Sequence, residues 1–102
     1  MTTLAANWSL ADALAEEEAR FTAANPRSRE RALAAAAVMP GGNTRTVLHY
    51  TPFPLAFARG EGATVTDLDG HSYRDFLGEY SAGIYGHSHP VIIAAAKGAI
   101  EG

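Results

Sequence analysis

Residues 55–76 read Leu55-Ala56-Phe57-Ala58-Arg59-Gly60-Glu61-Gly62-Ala63-Thr64-Val65-Thr66-Asp67-Leu68-Asp69-Gly70-His71-Ser72-Tyr73-Arg74-Asp75-Phe76. Their punctuation decides the fold. Three short runs, Leu55–Arg59, Thr64–Asp67 and Ser72–Phe76, carry the β-branched and aromatic residues that suit a pleated surface. Gly60-Glu61-Gly62 separates the first two, and Asp69-Gly70 supplies a positive-φ turn between the second and third. This order predicts an antiparallel meander of three short strands, with Val65, Tyr73 or Phe57 facing inward.

Upstream of the meander the period is helical. Ser9 is a good N-cap, and Asp12 three residues on is placed to reach back to the Ser9 amide. Leu10, Leu14 and Phe21 form an apolar stripe, interrupted by Glu16–Glu18, which reads as a solvated helix face. Asn25-Pro26 stops this helix, because a residue before proline avoids the α region. Ser28 is the candidate cap for a second helix, running through Leu33 and the alanines to about Val38, and Pro40-Gly41-Gly42-Asn43 ends it. Downstream, residues 78–89 are rich in glycine and aromatic residues and fit no regular period. Pro90 then suits the first turn of a last helix, capped by Ser88 or His89, with Val91, Ile92, Ala95, Ala99 and Ile100 as its buried stripe.

Composition bounds what such a chain can be. It has 102 residues, a formal net charge of −3 and no cysteine. That is room for one domain at most, with no disulfide framework or thiolate metal site. The mild charge argues against a nucleic-acid module built on a basic patch. The 47% apolar content includes 21 alanines, and Leu, Ile, Val and Phe number only 20, so a self-sufficient core would be thin. A piece of a larger protein is therefore the expectation. Residues 1–10 lack the basic start and apolar run of a signal peptide, and Ala32–Met39, the longest apolar stretch, is far short of the ~20 residues that span a bilayer. A soluble, cytoplasmic protein that binds neither nucleic acid nor membrane is expected.

Most familiar site motifs fail on spacing. Lys97, the single lysine, has no phosphate loop before it, and Gly60-Glu61-Gly62 has Val65 where a dinucleotide fingerprint needs its third glycine. Asp67-Leu68-Asp69-Gly70 lacks two calcium ligands of a loop in which Gly70 is position 6. Glu79 stands where a nucleophile elbow around Ser81 needs glycine. His87-Ser88-His89 invites a metal reading, yet no acidic or cysteine ligand lies at a recognisable spacing, and caps or packed loop histidines explain the pair more simply. No metal is assigned. Arg45 follows the Pro-Gly-Gly turn and precedes Val47-Leu48, so its backbone is anchored while its guanidinium reaches out. That planar fork suits a carboxylate in two-point contact; a surface ion pair is the competing reading. Tyr80 and Tyr85 are open between interface packing and pocket wall.

Taken in order, Met39-Pro40-Gly41-Gly42-Asn43-Thr44-Arg45, Ala58-Arg59-Gly60-Glu61-Gly62-Ala63, Asp67-Leu68-Asp69-Gly70, Tyr73-Arg74-Asp75-Phe76 and Tyr85-Gly86-His87-Ser88-His89-Pro90 resemble the amino-terminal segment of class III aminotransferases, the pyridoxal-phosphate enzymes of fold type I. The glutamate-1-semialdehyde aminomutase and β-amino-acid (β-phenylalanine) aminotransferase group is the branch they resemble most, and residues 45–54 lean toward the β-amino-acid enzymes. The likeness covers about residues 26–102.

The resemblance implies an α/β fold, α+β within this segment. Residues 1–39 would be an N-terminal helical arm and residues 40–102 the start of the small domain, the cofactor-binding large domain being absent from this chain. It implies that Arg45 receives the substrate carboxylate, that Val47 is a side-chain pocket wall, and that Glu79, Tyr80 and Ser81 line the active site. It also implies a homodimer that moves an amino group between an amino acid and a 2-oxo acid, with pyridoxal 5'-phosphate bound mainly by residues outside this chain. The family's cofactor lysine, pyridine-nitrogen acid and phosphate cradle match nothing here, and Lys97 lies outside any matching motif, so the segment alone is expected to be inactive. A small non-catalytic oligomerisation module is the alternative, favoured by the length and the alanine-rich helices.

Overall fold

The computed structural model describes residues 9–102; the first eight residues of the expected 1–39 arm, and most of the stretch read for a signal peptide, lie outside the described residues. The chain forms two compact units that divide after Leu55. The boundary expected after Met39 coincides with the end of a helix.

In the first unit, α1 spans Leu10–Ala24 and α2 spans Pro26–Val38. The Ser9 hydroxyl accepts from the Asp12 amide at 3.1 Å, as its cap position requires. Arg20 pairs with Glu16 and Glu17 at 3.1 and 2.6 Å, which makes the acidic run a solvated helical face with its own counter-ion. The second helix starts two residues before the expected cap. Pro26, with φ already helical, takes the first position, so Asn25 is the cap and Ser28 lies inside the first turn, fully buried. Beyond Met39, Gly41 and Gly42 both have positive φ (67° and 71°) and reverse the chain. Phe53, 7% exposed, is the buried hydrophobic residue among those described; its ring packs 4.9 Å from that of Phe21.

The second unit holds a three-stranded antiparallel sheet in the order β1 (Phe57–Glu61), β2 (Thr64–Asp67), β3 (Ser72–Arg74). The meander is as expected, but β1 begins two residues late and keeps Gly60 inside the strand. Glu61 pairs with Thr64, so the turn is Gly62-Ala63 alone, with Gly62 at φ 57° in its first position. A bulge between Phe57 and Arg59 shifts the register, so Phe57 faces Asp67 and Arg59 faces Thr66. Phe57 and Tyr73 stack edge-to-face at 6.0 Å but stay largely exposed. The residue the sheet buries is instead Asp67.

The last helix, α3, spans Pro90–Glu101. His89 is its cap, its Nδ1 accepting from the Val91 amide at 3.2 Å. Val91, Ile92, Ala95, Ala99 and Ile100, expected to be buried, are all exposed, Ile100 at 85%. Their helical spacing signals an apolar face; burial needs an opposing surface, which these residues lack within their unit. No described helix is long and apolar enough to cross a membrane.

Candidate functional site

Two aspartates organise the second unit. Asp67 ends β2 with 2% exposure, and every bond its carboxylate accepts is short. Oδ1 takes the amides of Asp69 and His71, both at 2.9 Å, and Oδ2 takes the Tyr73 hydroxyl at 2.7 Å and His71 Nδ1 at 2.9 Å. Burial works against the charge, but the hydrogen bonds from Tyr73, the His71 amide and ring and the Asp69 amide outweigh it and hold the carboxyl at about 2 instead of 3.8. The Asp67-Leu68-Asp69-Gly70 stretch is thus a hairpin loop folded around its first carboxylate, with Gly70 at φ 88°.

Asp75 does the same for the next loop. Its Oδ1 accepts from the amides of Leu77 and Gly78 at 3.0 and 2.9 Å, while Oδ2 takes His87 Nε2 at 2.6 Å. The Gly78 amide, then the His87 ring, hold this carboxyl below its ordinary range against the opposing effect of burial. His87 is fixed on its own side: its amide and carbonyl both pair with Gly62, at 2.8 and 2.9 Å.

Between these anchors lies the loop that carries Glu79, Tyr80 and Ser81. All three have positive φ, at 53°, 55° and 80°. Each left-handed non-glycine residue costs about 1–2 kcal/mol, so three in succession persist only where flanking bonds enforce them. The Ala82 amide bonds back to the Glu79 carbonyl at 3.2 Å and Gly83 to the Gly78 carbonyl at 2.9 Å. The turn leaves all three side chains exposed, with Glu79 Oε1 at 3.9 Å from His87 Nδ1.

Arg45 and Val47 lie in the first unit. Arg45 precedes the short turn Thr46–Leu48, and its carbonyl accepts from the Leu48 amide at 3.0 Å, while His49 bonds back to Thr46 at 3.1 Å. The backbone is fixed, as the turn sequence predicts; the Arg45 side chain is exposed and makes no ion pair with any described residue. Val47 is exposed beside it. A cavity of about 220 Å³ in this unit is lined by Leu33, Ala36, Pro52, Phe53 and Pro54 among others, and neither Arg45 nor Val47 contributes to it. The structure thus groups Arg45 with Val47, and Glu79 with Tyr80 and Ser81, each set within its own unit.

The family model for aminotransferase class-III matches residues 47–101. The chain belongs to the class III aminotransferases. β-Phenylalanine transaminase of Variovorax paradoxus is 56% identical over 90 residues, which are 88% of this chain and 21% of that protein. A crystal structure of a β-phenylalanine aminotransferase from the same organism superposes with a TM-score of 0.84 at 53% identity, covering 91% of this chain and 22% of that one. A variant of glutamate-1-semialdehyde aminomutase from Pseudomonas aeruginosa, in complex with PMP, matches with a TM-score of 0.76 at 30% identity over 85% of this chain and 20% of its own. This class III segment therefore spans about a fifth of the length of the relatives it matches.

Two residues of this aminotransferase segment escape a motif reading. Asp75 reads as the tail of a strand, and His87 as half of a His-Ser-His pair. Neither histidine of that pair is turned to a shared ligand: His87 Nε2 is bonded to Asp75 and His89 caps α3. The signal available in sequence was glycine. Gly60 sits in a strand with no turn to make, and an added Cβ there would lie 2.7 Å from His87 Cγ.

Proposed function

We propose that these residues are part of a pyridoxal-phosphate-dependent aminotransferase that moves the amino group of a β-amino acid to a 2-oxo acid, with Arg45 receiving the substrate carboxylate. The observation that carries this reading is an exposed guanidinium without an ion pair to any described residue, set on a backbone that turn hydrogen bonds hold still. A fixed fork orients a carboxylate with little ordering left to do on binding. Val47, beside it, suits a substrate side chain; within the second unit, the Glu79–Ser81 turn exposes a carboxylate, a phenol and a hydroxyl of the kind that lines an active site. The 56% identity to a β-phenylalanine transaminase supports a β-amino acid over other donors.

Pyridoxal phosphate, when bound, supplies the electron sink that lets an amino group leave one acid and join another. The described residues do not fit its covalent anchor: Lys97, the only lysine, is exposed on α3. The part of this chain is to bind and orient substrate, the enzyme being a homodimer in the cytoplasm whose remaining length holds the cofactor. The test is an amino-transfer assay of the full-length protein with β-phenylalanine, a 2-oxo acid and pyridoxal phosphate. The reading predicts a new amino acid in step with loss of the donor; no transfer from β-phenylalanine or any other β-amino acid would refute it.

A further inference from the structure

The loop 76–86 is closed at its neck by contacts that no strand or helix requires. One carboxylate holds both sides: Asp75 Oδ1 gathers the Leu77 and Gly78 amides and Oδ2 takes His87 Nε2. The two side chains are only 15% and 20% exposed. Because the Asp75 carboxylate is an acceptor, the imidazole donates from Nε2. Two glycines make room for the closure. A Cβ on Gly60 would lie 2.7 Å from His87 Cγ, and one on Gly86 would lie 3.1 Å from the Gly62 carbonyl. Ser88 adds a bond from its hydroxyl to the Gly60 carbonyl at 2.6 Å. The contacts that close the neck thus converge on Gly60 and Gly62 and on the Asp75–His87 bond, while the left-handed residues stand between.

We infer that Asp75 and His87 are positioning residues: their bond is a clasp that holds the Glu79–Ser81 turn in its left-handed form and so aims those three side chains. Neither touches substrate; both act through the turn. The inference rests on the reading of Glu79–Ser81 as a substrate-lining segment, and the experiment separates the two. In the full-length holoenzyme, Asp75→Asn, His87→Ala and His87→Gln are compared with Tyr80→Ala, which alters the lining directly. Amide hydrogen exchange at residues 77–86 and at Thr64–Asp67 is measured beside kcat, KM and the visible spectrum of the cofactor.

The clasp predicts that Asp75→Asn and His87→Ala raise exchange in 77–86 about tenfold while Thr64–Asp67 is unchanged. KM for the amino donor rises about tenfold with cofactor absorbance retained, the scale expected when a binding group is misplaced by a fraction of an ångström. His87→Gln, which keeps a donor, recovers part of that loss. Should His87→Ala fail to fold, Asp75→Asn, which preserves one acceptor oxygen, decides alone. Exchange that rises with KM unchanged, while Tyr80→Ala does raise KM, overturns the positioning role and leaves the lining intact. Unchanged KM in Tyr80→Ala refutes the lining itself, and the inference with it. Unchanged exchange refutes the clasp.

Discussion

Asp67 shows what a single carboxylate can organise. Its four acceptor bonds come from residues two, four and six positions ahead, so one side chain sets the whole hairpin loop and its charge is the reason it does. The folded pKa lies near 2 against an ordinary 3.8. A depressed carboxyl contributes stability that is present above the unfolded value and lost as pH falls through the folded one, so thermal unfolding of the full-length protein should soften between pH 4 and about 2. Asp67→Asn, which leaves two donors facing an amide, should cost about 1–3 kcal/mol at neutral pH and flatten that acid limb; calorimetry across the range checks both. The turn at Asp69-Gly70 was readable from composition because positive φ has few residue types that tolerate it. That Asp67 would be the buried residue was not, since an aspartate before Asp-Gly reads equally as a solvated turn or a cation ligand. Arg45 is the opposite case: residue type and turn context carry its fixed backbone, while the same surface-arginine chemistry fits an ion pair or a substrate.

Among the elements, α1, β2 and α3 fall where capping, proline and hydrophobic period place them, and α2 starts two residues before its expected cap because Pro26 takes its first position. The misplaced end of β1 has a different, tertiary cause. Gly60 looks like a turn residue but is in β1 because a side chain elsewhere needs its space. Close approach across residues 60 and 87 is a tertiary fact that local pattern does not carry. The two glycines of that stretch therefore differ in kind. Gly60→Ala should displace the His87 ring and loosen loop 76–86, whereas Gly62→Ala meets nothing within 4 Å and pays only for φ 57°, about 1 kcal/mol. Hydrogen exchange of the full-length variants should show fast amides in 77–86 for the first and a uniform, small destabilisation for the second. The left-handed run at Glu79–Ser81 was invisible to any period, and its irregularity was the only hint.

At the scale of the whole chain, the thin apolar composition and the exposed face of α3 agree: Phe53 is the buried hydrophobic among the described residues, and the chain covers about a fifth of the class III proteins it matches. The order of weak motifs carried the family where no one motif would have. The substrate role of Arg45 is the central claim, and a comparison of donors in the full-length Arg45→Ala enzyme tests it most directly. With β-phenylalanine, kcat/KM should fall about 10- to 100-fold, the worth of a charged hydrogen-bonded contact. With a carboxylate-free amine of similar shape it should hold, as should cofactor absorbance. An equal loss for both donors, or no loss for either, would contradict the account.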